Sequence, residues 1–330
     1  MTAKQVDILN IGLLIVSALL AYHFPMELFV FAYAILGPLH YLTEINWLNN
    51  KSYFTSQNKR VWLSIGTFAS VFIVAPKLYF AFVTPESTTT LTEVFLFIDS
   101  WSTSMIFITL VLAIGFLFAK KTLHYLVLGG IALLGAILFN DADSYATIVG
   151  MLIPTIVHVY IFTLLFMLYG SLKSKSKFGY VSIVLALIIP ILFIYIEIDP
   201  DSYLFNEAVK SSYSDNGLFH TPLLFGKFLG VLDGTTFYFY SEIELRLMMF
   251  ISFIYMYHYL NWFSKTTTIA WHKNLTLKRS LVIALVWIGM VVTFYIDFAL
   301  GFLLALFLSF LHVILEFPLN MVSIKSIFKR

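Results

Sequence analysis

The chain has 330 residues, of which 60% are hydrophobic, 18% aromatic and only 12% charged. A water-soluble domain is about 45–50% apolar and about 25% charged, so this chain holds more apolar sequence than a globule can hide, and its solvent is expected to be lipid. A net charge of +2 gives nucleic acid no electrostatic footprint, and the absence of cysteine excludes disulfides, thiolate-bound zinc, iron–sulfur clusters and a cysteine nucleophile.

Apolar runs long enough to span a bilayer, roughly 17–25 residues each, fall at about 8–24, 26–48, 61–83, 95–119, 122–139, 146–170, 180–198, 246–264, 280–298 and 300–322. They predict an all-α, polytopic transmembrane helix bundle of about ten spans. The first run has no small-residue cleavage site before Pro25 and is expected to be a retained helix, not a signal peptide. No long-period repeat or low-complexity linker interrupts the chain, so residues 1–330 are read as one integral membrane domain.

The charges between the runs test this count. With the amino terminus in the cytoplasm, the inner loops carry Lys51, Lys59 and Arg60, then Lys120 and Lys121, then Lys173, Lys175 and Lys177, then Lys265, Lys273, Lys278 and Arg279. Lys4 and the tail residues Lys325, Lys329 and Arg330 bring the inner total to 16 of 20 basic residues. The outer loops carry Glu86, Glu93, Asp141, Asp143, Asp199, Asp201, Glu207, Asp215 and Asp233. Lysine and arginine set orientation, and their alternation predicts both termini on the cytoplasmic side of a bacterial inner membrane or its equivalent. Asp99, Glu242 and Glu244 are expected at the interface, with Arg246 pairing to one of the acids, and Lys77 is expected to snorkel from the third span.

One connection is long, about 199–245 on the outer side. Its segment 218–230 is too short and too glycine-broken to span, and it can lie in the interface or re-enter the bilayer. A lid and a loop that hugs the interface are both compatible with it.

Four histidines share a depth. His40, His158, His258 and His312 lie 14, 12, 12 and 12 residues into the second, sixth, eighth and tenth spans, all of which run from outside to inside. At about 1.5 Å per residue, each is roughly 18–21 Å below the outer surface of a core about 30 Å thick. Glu44 and Glu316 follow His40 and His312 at i+4, on the same helix face. His23, His124, His220 and His272 lie near the surfaces. Ionisable groups within hydrocarbon are costly and mark function by default. Neutral imidazole is a ligand for iron, zinc and copper, and a carboxylate at i+4 can ligate or orient a neighbouring ligand. The pattern fits one metal ion, with a dinuclear centre, a proton or quinone site, and structural hydrogen bonding as alternatives. Pro38, Pro154 and Pro318 sit close to these residues and bend helices locally. No lysine stands in the middle of a span, which argues against a retinal Schiff base.

Gly37-Pro38-Leu39-His40 followed by Glu44 resembles the early proline–histidine motif of the Brp/Blh-type membrane β-carotene dioxygenases. Leu311-His312-Val313-Ile314-Leu315-Glu316-Phe317 is similar to that family's late histidine–acid motif, and Tyr257-His258-Tyr259-Leu260-Asn261-Trp262-Phe263 stands in the place of its histidine-rich helix. Trp262 occupies the position of a second histidine there, and Glu44 and Glu316 stand where the family has aspartates. The resemblance implies a non-haem Fe(II) oxygenase that cleaves β-carotene with O2 to retinal. It makes His40, His158 and His258 ligands and His312 a fourth ligand or near neighbour, with Glu44 and Glu316 as catalytic groups that tune ligands or relay protons. The expected partners are a lipid-soluble substrate and membrane lipids. A proton-coupled transporter using the His/Glu pairs and a non-catalytic membrane scaffold are the competing expectations.

Overall fold

The computed structural model describes residues 1–55, 59–84, 89–118 and 121–329. Glu86, Lys120 and Arg330, three of the charges used to read orientation, lie outside the described residues. Among the described residues the ordered elements are all helical. In chain order the main helices are α1 (Ala3–His23), α2 (Pro25–Asn50), α3 (Lys59–Phe80), α4 (Thr90–Ser100), α5 (Ser102–Phe118), α6 (Thr122–Phe139), α7 (Ala146–Ser174), α8 (Lys177–Tyr195), α9 (Glu207–Asp215), α10 (His220–Phe228), α11 (Glu242–Ser264), α12 (Leu277–Ile296) and α13 (Phe298–Phe328).

Each predicted apolar run is occupied by helix. Among the described residues seven helices, α1, α2, α3, α7, α8, α12 and α13, are long and apolar enough to cross a membrane. The run expected as one helix over 95–119 is instead the pair α4–α5, bent by 45° at Trp101; counted as one span, it makes eight. Large apolar side chains stay exposed along α6, α8 and α12, among them Leu126, Leu138, Ile194 and Leu285, an apolar surface far beyond what a water-facing monomer carries.

Helix starts follow from local chemistry. Thr2 and Gln5 form a reciprocal capping box on α1. Thr89, Ser176, Asn206 and Thr276 each accept a backbone N–H in the first turn of α4, α8, α9 and α12.

Two helices depart from α geometry, and both carry a proline and a histidine. In α2 the turn Ala32–Leu36 is a π-helix in which the Gly37 N–H reaches back to the Ala32 carbonyl. Pro38, which follows, has no N–H to give and its ring crowds the carbonyl four residues back, so the wider i→i+5 turn relieves the ladder just before His40. In α7 the π-helix runs over Ala146–Phe162, encloses Pro154 and His158, and returns to α geometry at Thr163. Such turns occur mostly as single bulges at functional sites.

The chain divides into two compact units, one of residues 1–40 and 155–302, the other of residues 41–154 and 303–330. In the first, α11 is the buried centre: from Glu244 to Tyr259, only Arg246 and Phe250 escape full burial. It packs against α1, α8, α10 and the start of α2. A polar seam joins it to α1: Asn10 donates to Val6 O (2.8 Å) and Ser264 Oγ (2.9 Å), and accepts from the Tyr257 hydroxyl (3.2 Å), which in turn accepts from Asn261 Nδ2 (3.1 Å). Glu242 pairs with Arg246 (3.2 Å to Nε) as expected. Glu244 is buried within the protein and accepts from the Ser241 hydroxyl and the Tyr238 N–H. Its place in the first turn of α11 suits a carboxylate, since orphan donors and the helix dipole favour one there. The 199–245 connection contains α9 and α10, which pack on α2 and α11.

In the second unit α3 packs on α4 and α5, and α5 on α6. Trp62 donates to the Leu315 carbonyl (3.4 Å), and Gly66 leaves room for the Leu315 and Leu311 side chains. Lys77 pairs with Asp99 at 3.1 Å, both partly exposed, a contact worth about 0–1 kcal/mol.

The turn from α12 to α13 depends on a glycine. A Cβ at Gly301 would come within 2.8 Å of the Phe294 backbone, whereas one at Gly289 meets nothing within 4 Å. Gly301→Ala is expected to destabilise the protein by about 1–3 kcal/mol, and Gly289→Ala to leave it unchanged; thermal unfolding in detergent checks both, and equal midpoints would contradict this packing.

Candidate metal centre

Three of the four histidines expected in one layer belong to the first unit, and the fold brings them together. His40 sits on α2 just beyond the π turn, His158 inside the π segment of α7, and His258 on the buried helix α11. All three are buried. His40 Nε2 and His258 Nε2 are 3.1 Å apart, with ring centroids at 4.7 Å and planes at 75°. The His158 ring lies 5.2 Å from that of His258. The surround is aromatic: Tyr259, Trp262 and Phe263 stand with ring centroids 5.1, 5.5 and 6.5 Å from His40.

Thr163 completes this group. Its Oγ1 is 2.8 Å from the Val159 carbonyl and 2.8 Å from His258 Nδ1. In a regular α-helix a residue five after His158 faces away from it. The i→i+5 turns preceding Thr163 bring such a position back toward the histidine's face, and no residue pattern announces a π segment of that length.

The remaining expected residues lie in the second unit. His312 is buried, stacks on Tyr41 (4.3 Å, 23°), and donates from Nδ1 to the Leu308 carbonyl at 3.3 Å, since a carbonyl can only accept. Glu44 and Glu316 are both buried in the same unit. The other histidines serve elsewhere: His23 ends α1 against Tyr22, His220 opens α10 against Phe219, His124 is in α6, and His272 Nδ1 bonds to the Thr266 carbonyl at 2.9 Å.

This arrangement suits a metal chemically. A 3.1 Å separation of two ring nitrogens is what two ligands about 2.0–2.1 Å from one ion present; it is also a hydrogen-bond length. The donor set is nitrogen without thiolate, which fits iron, copper or zinc and disfavours calcium or magnesium. No family model, curated protein or solved structure matches this chain.

The absence of native cysteine makes the geometry testable without background. In a His40→Cys/His258→Cys variant, a short bifunctional thiol reagent is expected to join the two peptides within one chain, as read by mass spectrometry. A yield no higher than that of a His40→Cys/His220→Cys control would contradict the approach of α2 and α11.

Proposed function

We propose that the chain is a multi-pass protein of ten spans with both termini in the cytoplasm, and that its buried histidines hold a transition metal, iron, for oxidation of a lipid-soluble substrate. The observation that carries this reading is the approach of His40 and His258, buried residues of one unit whose ring nitrogens lie 3.1 Å apart, with the His158 ring 5.2 Å from that of His258. The common depth read from the sequence adds His312 as a fourth ligand. The span count rests on the seven or eight helices that pass on length and composition, joined by α6 and α11 in the places where basic and acidic loops alternate. The resemblance to the Brp/Blh-type dioxygenases supplies the substrate class, a carotenoid cleaved to retinal.

Within this reading each residue has a task. Ferrous iron supplies O2 activation and one-electron chemistry that no side chain of this sequence provides. The imidazoles of His40, His158 and His258 would hold it. Tyr259, Trp262 and Phe263 exclude water around His40 and offer flat apolar faces to a polyene. Glu44 and Glu316 hold and pass protons on the cytoplasmic side of the histidine layer. Substrate arrives from the bilayer, because the outward faces of the helices are apolar.

A second reading, proton-coupled transport through His/Glu pairs, draws on the same 3.1 Å contact as an N–H···N bond and expects no metal. Elemental analysis of protein purified without chelator separates the two. About one iron per chain is expected, falling to background in His40→Ala and in His258→Ala. Variants that keep the full metal content, or a wild-type protein without metal, would overturn the iron reading.

A further inference from the structure

The hydroxyl of Thr163 has one hydrogen and two partners at 2.8 Å, the Val159 carbonyl and His258 Nδ1. A carbonyl can only accept, so the hydrogen goes to Val159, in the backward bond to the i−4 carbonyl that helical threonines commonly make. Thr163 is then an acceptor toward His258, and Nδ1 must carry a proton. The opposite tautomer would set the Nδ1 lone pair against an oxygen lone pair at 2.8 Å. A doubly protonated ring would bury a charge beside Tyr259 and His40, which burial disfavours. The neutral Nδ1–H form remains, with the lone pair on Nε2, the nitrogen that faces His40 Nε2.

We propose that Thr163 is the positioning residue that makes His258 a ligand, by fixing the tautomer and ring angle that present the Nε2 lone pair to the ion; this rests on the metal reading above and deepens it. A ligating histidine gains basicity and a set orientation when its other nitrogen donates to an oxygen. Here that oxygen is delivered by the change from π to α geometry at Thr163. The same proline-bearing helix thus supplies His158 and the group that orients its neighbour.

The assignment has an independent signature in the metal-free protein. With 15N-labelled histidine, and His258→Gln to identify the signal, solid-state NMR is expected to find the His258 proton on Nδ1 in the wild type and in Thr163→Ser. In Thr163→Val, which keeps the shape and removes the acceptor, part of the population is expected to move to Nε2–H. Iron retention against a chelator is expected to weaken about 10–100-fold in Thr163→Val and to recover in Thr163→Ser. A wild-type His258 proton on Nε2, or a valine variant that holds iron as tightly as the wild type, overturns the role of Thr163. A wild-type protein with the Nδ1 proton in place that binds no iron overturns the metal reading and reduces Thr163 to a structural partner of His258.

Discussion

A neutral imidazole has one donor nitrogen and one acceptor nitrogen, and a helix bundle with an apolar exterior offers neither water nor headgroups to satisfy them. His258 lies on α11, a helix buried around almost its whole circumference, so snorkelling is closed to it. Its two nitrogens have to be met by neighbouring helices, and they are: Thr163 from α7 on one side, His40 from α2 on the other. The rest of the first unit follows from that requirement. The Asn10–Tyr257–Asn261–Ser264 seam does for the α1 face of α11 what Thr163 and His40 do for the histidine face. These interhelical bonds join particular faces of α11 to α1, α2 and α7.

Proline gives the helices the shape this needs. A missing N–H at Pro38 and at Pro154 leaves a carbonyl that a regular α-helix cannot serve. Both helices answer with i→i+5 turns. The wider turns shift the register of the residues that follow, and the residues that follow are His40 and, in α7, His158 and Thr163. The long connection between α8 and α11 is tied to the same unit through Phe29–Tyr213 and Phe225–Phe250 ring contacts, so it is part of the packed first unit.

Apolar runs were legible in the sequence because lipid demands about 20 uninterrupted apolar residues per span, and helices occupy each of those runs. A constant 1.5 Å rise converts position in a run into depth, and on that ground four histidines were expected in one layer; the rings of His40 and His158 each stand beside that of His258. Depth carries no angular information, and there the reading stopped. The π turns change the angle of every later residue in α2 and α7, so Thr163 stayed hidden, and the 45° bend at Trp101 has no proline or glycine beside it to announce it. The burial of Glu244 was not legible, because it depends on Ser241 and Tyr238 folding over the start of α11. The division into two units, falling within α2, α7 and α13, leaves no mark in composition, since the same apolar residues serve on either side of it.

The central claim is that these imidazoles ligate a metal, and X-ray absorption at the iron edge of the purified protein tests it at the atoms concerned. The account predicts a first shell of nitrogen and oxygen near about 2.0–2.2 Å with the outer-shell scattering of imidazole rings, diminished in His258→Ala. A shell of oxygen alone, without imidazole scattering and unchanged by that substitution, would contradict it.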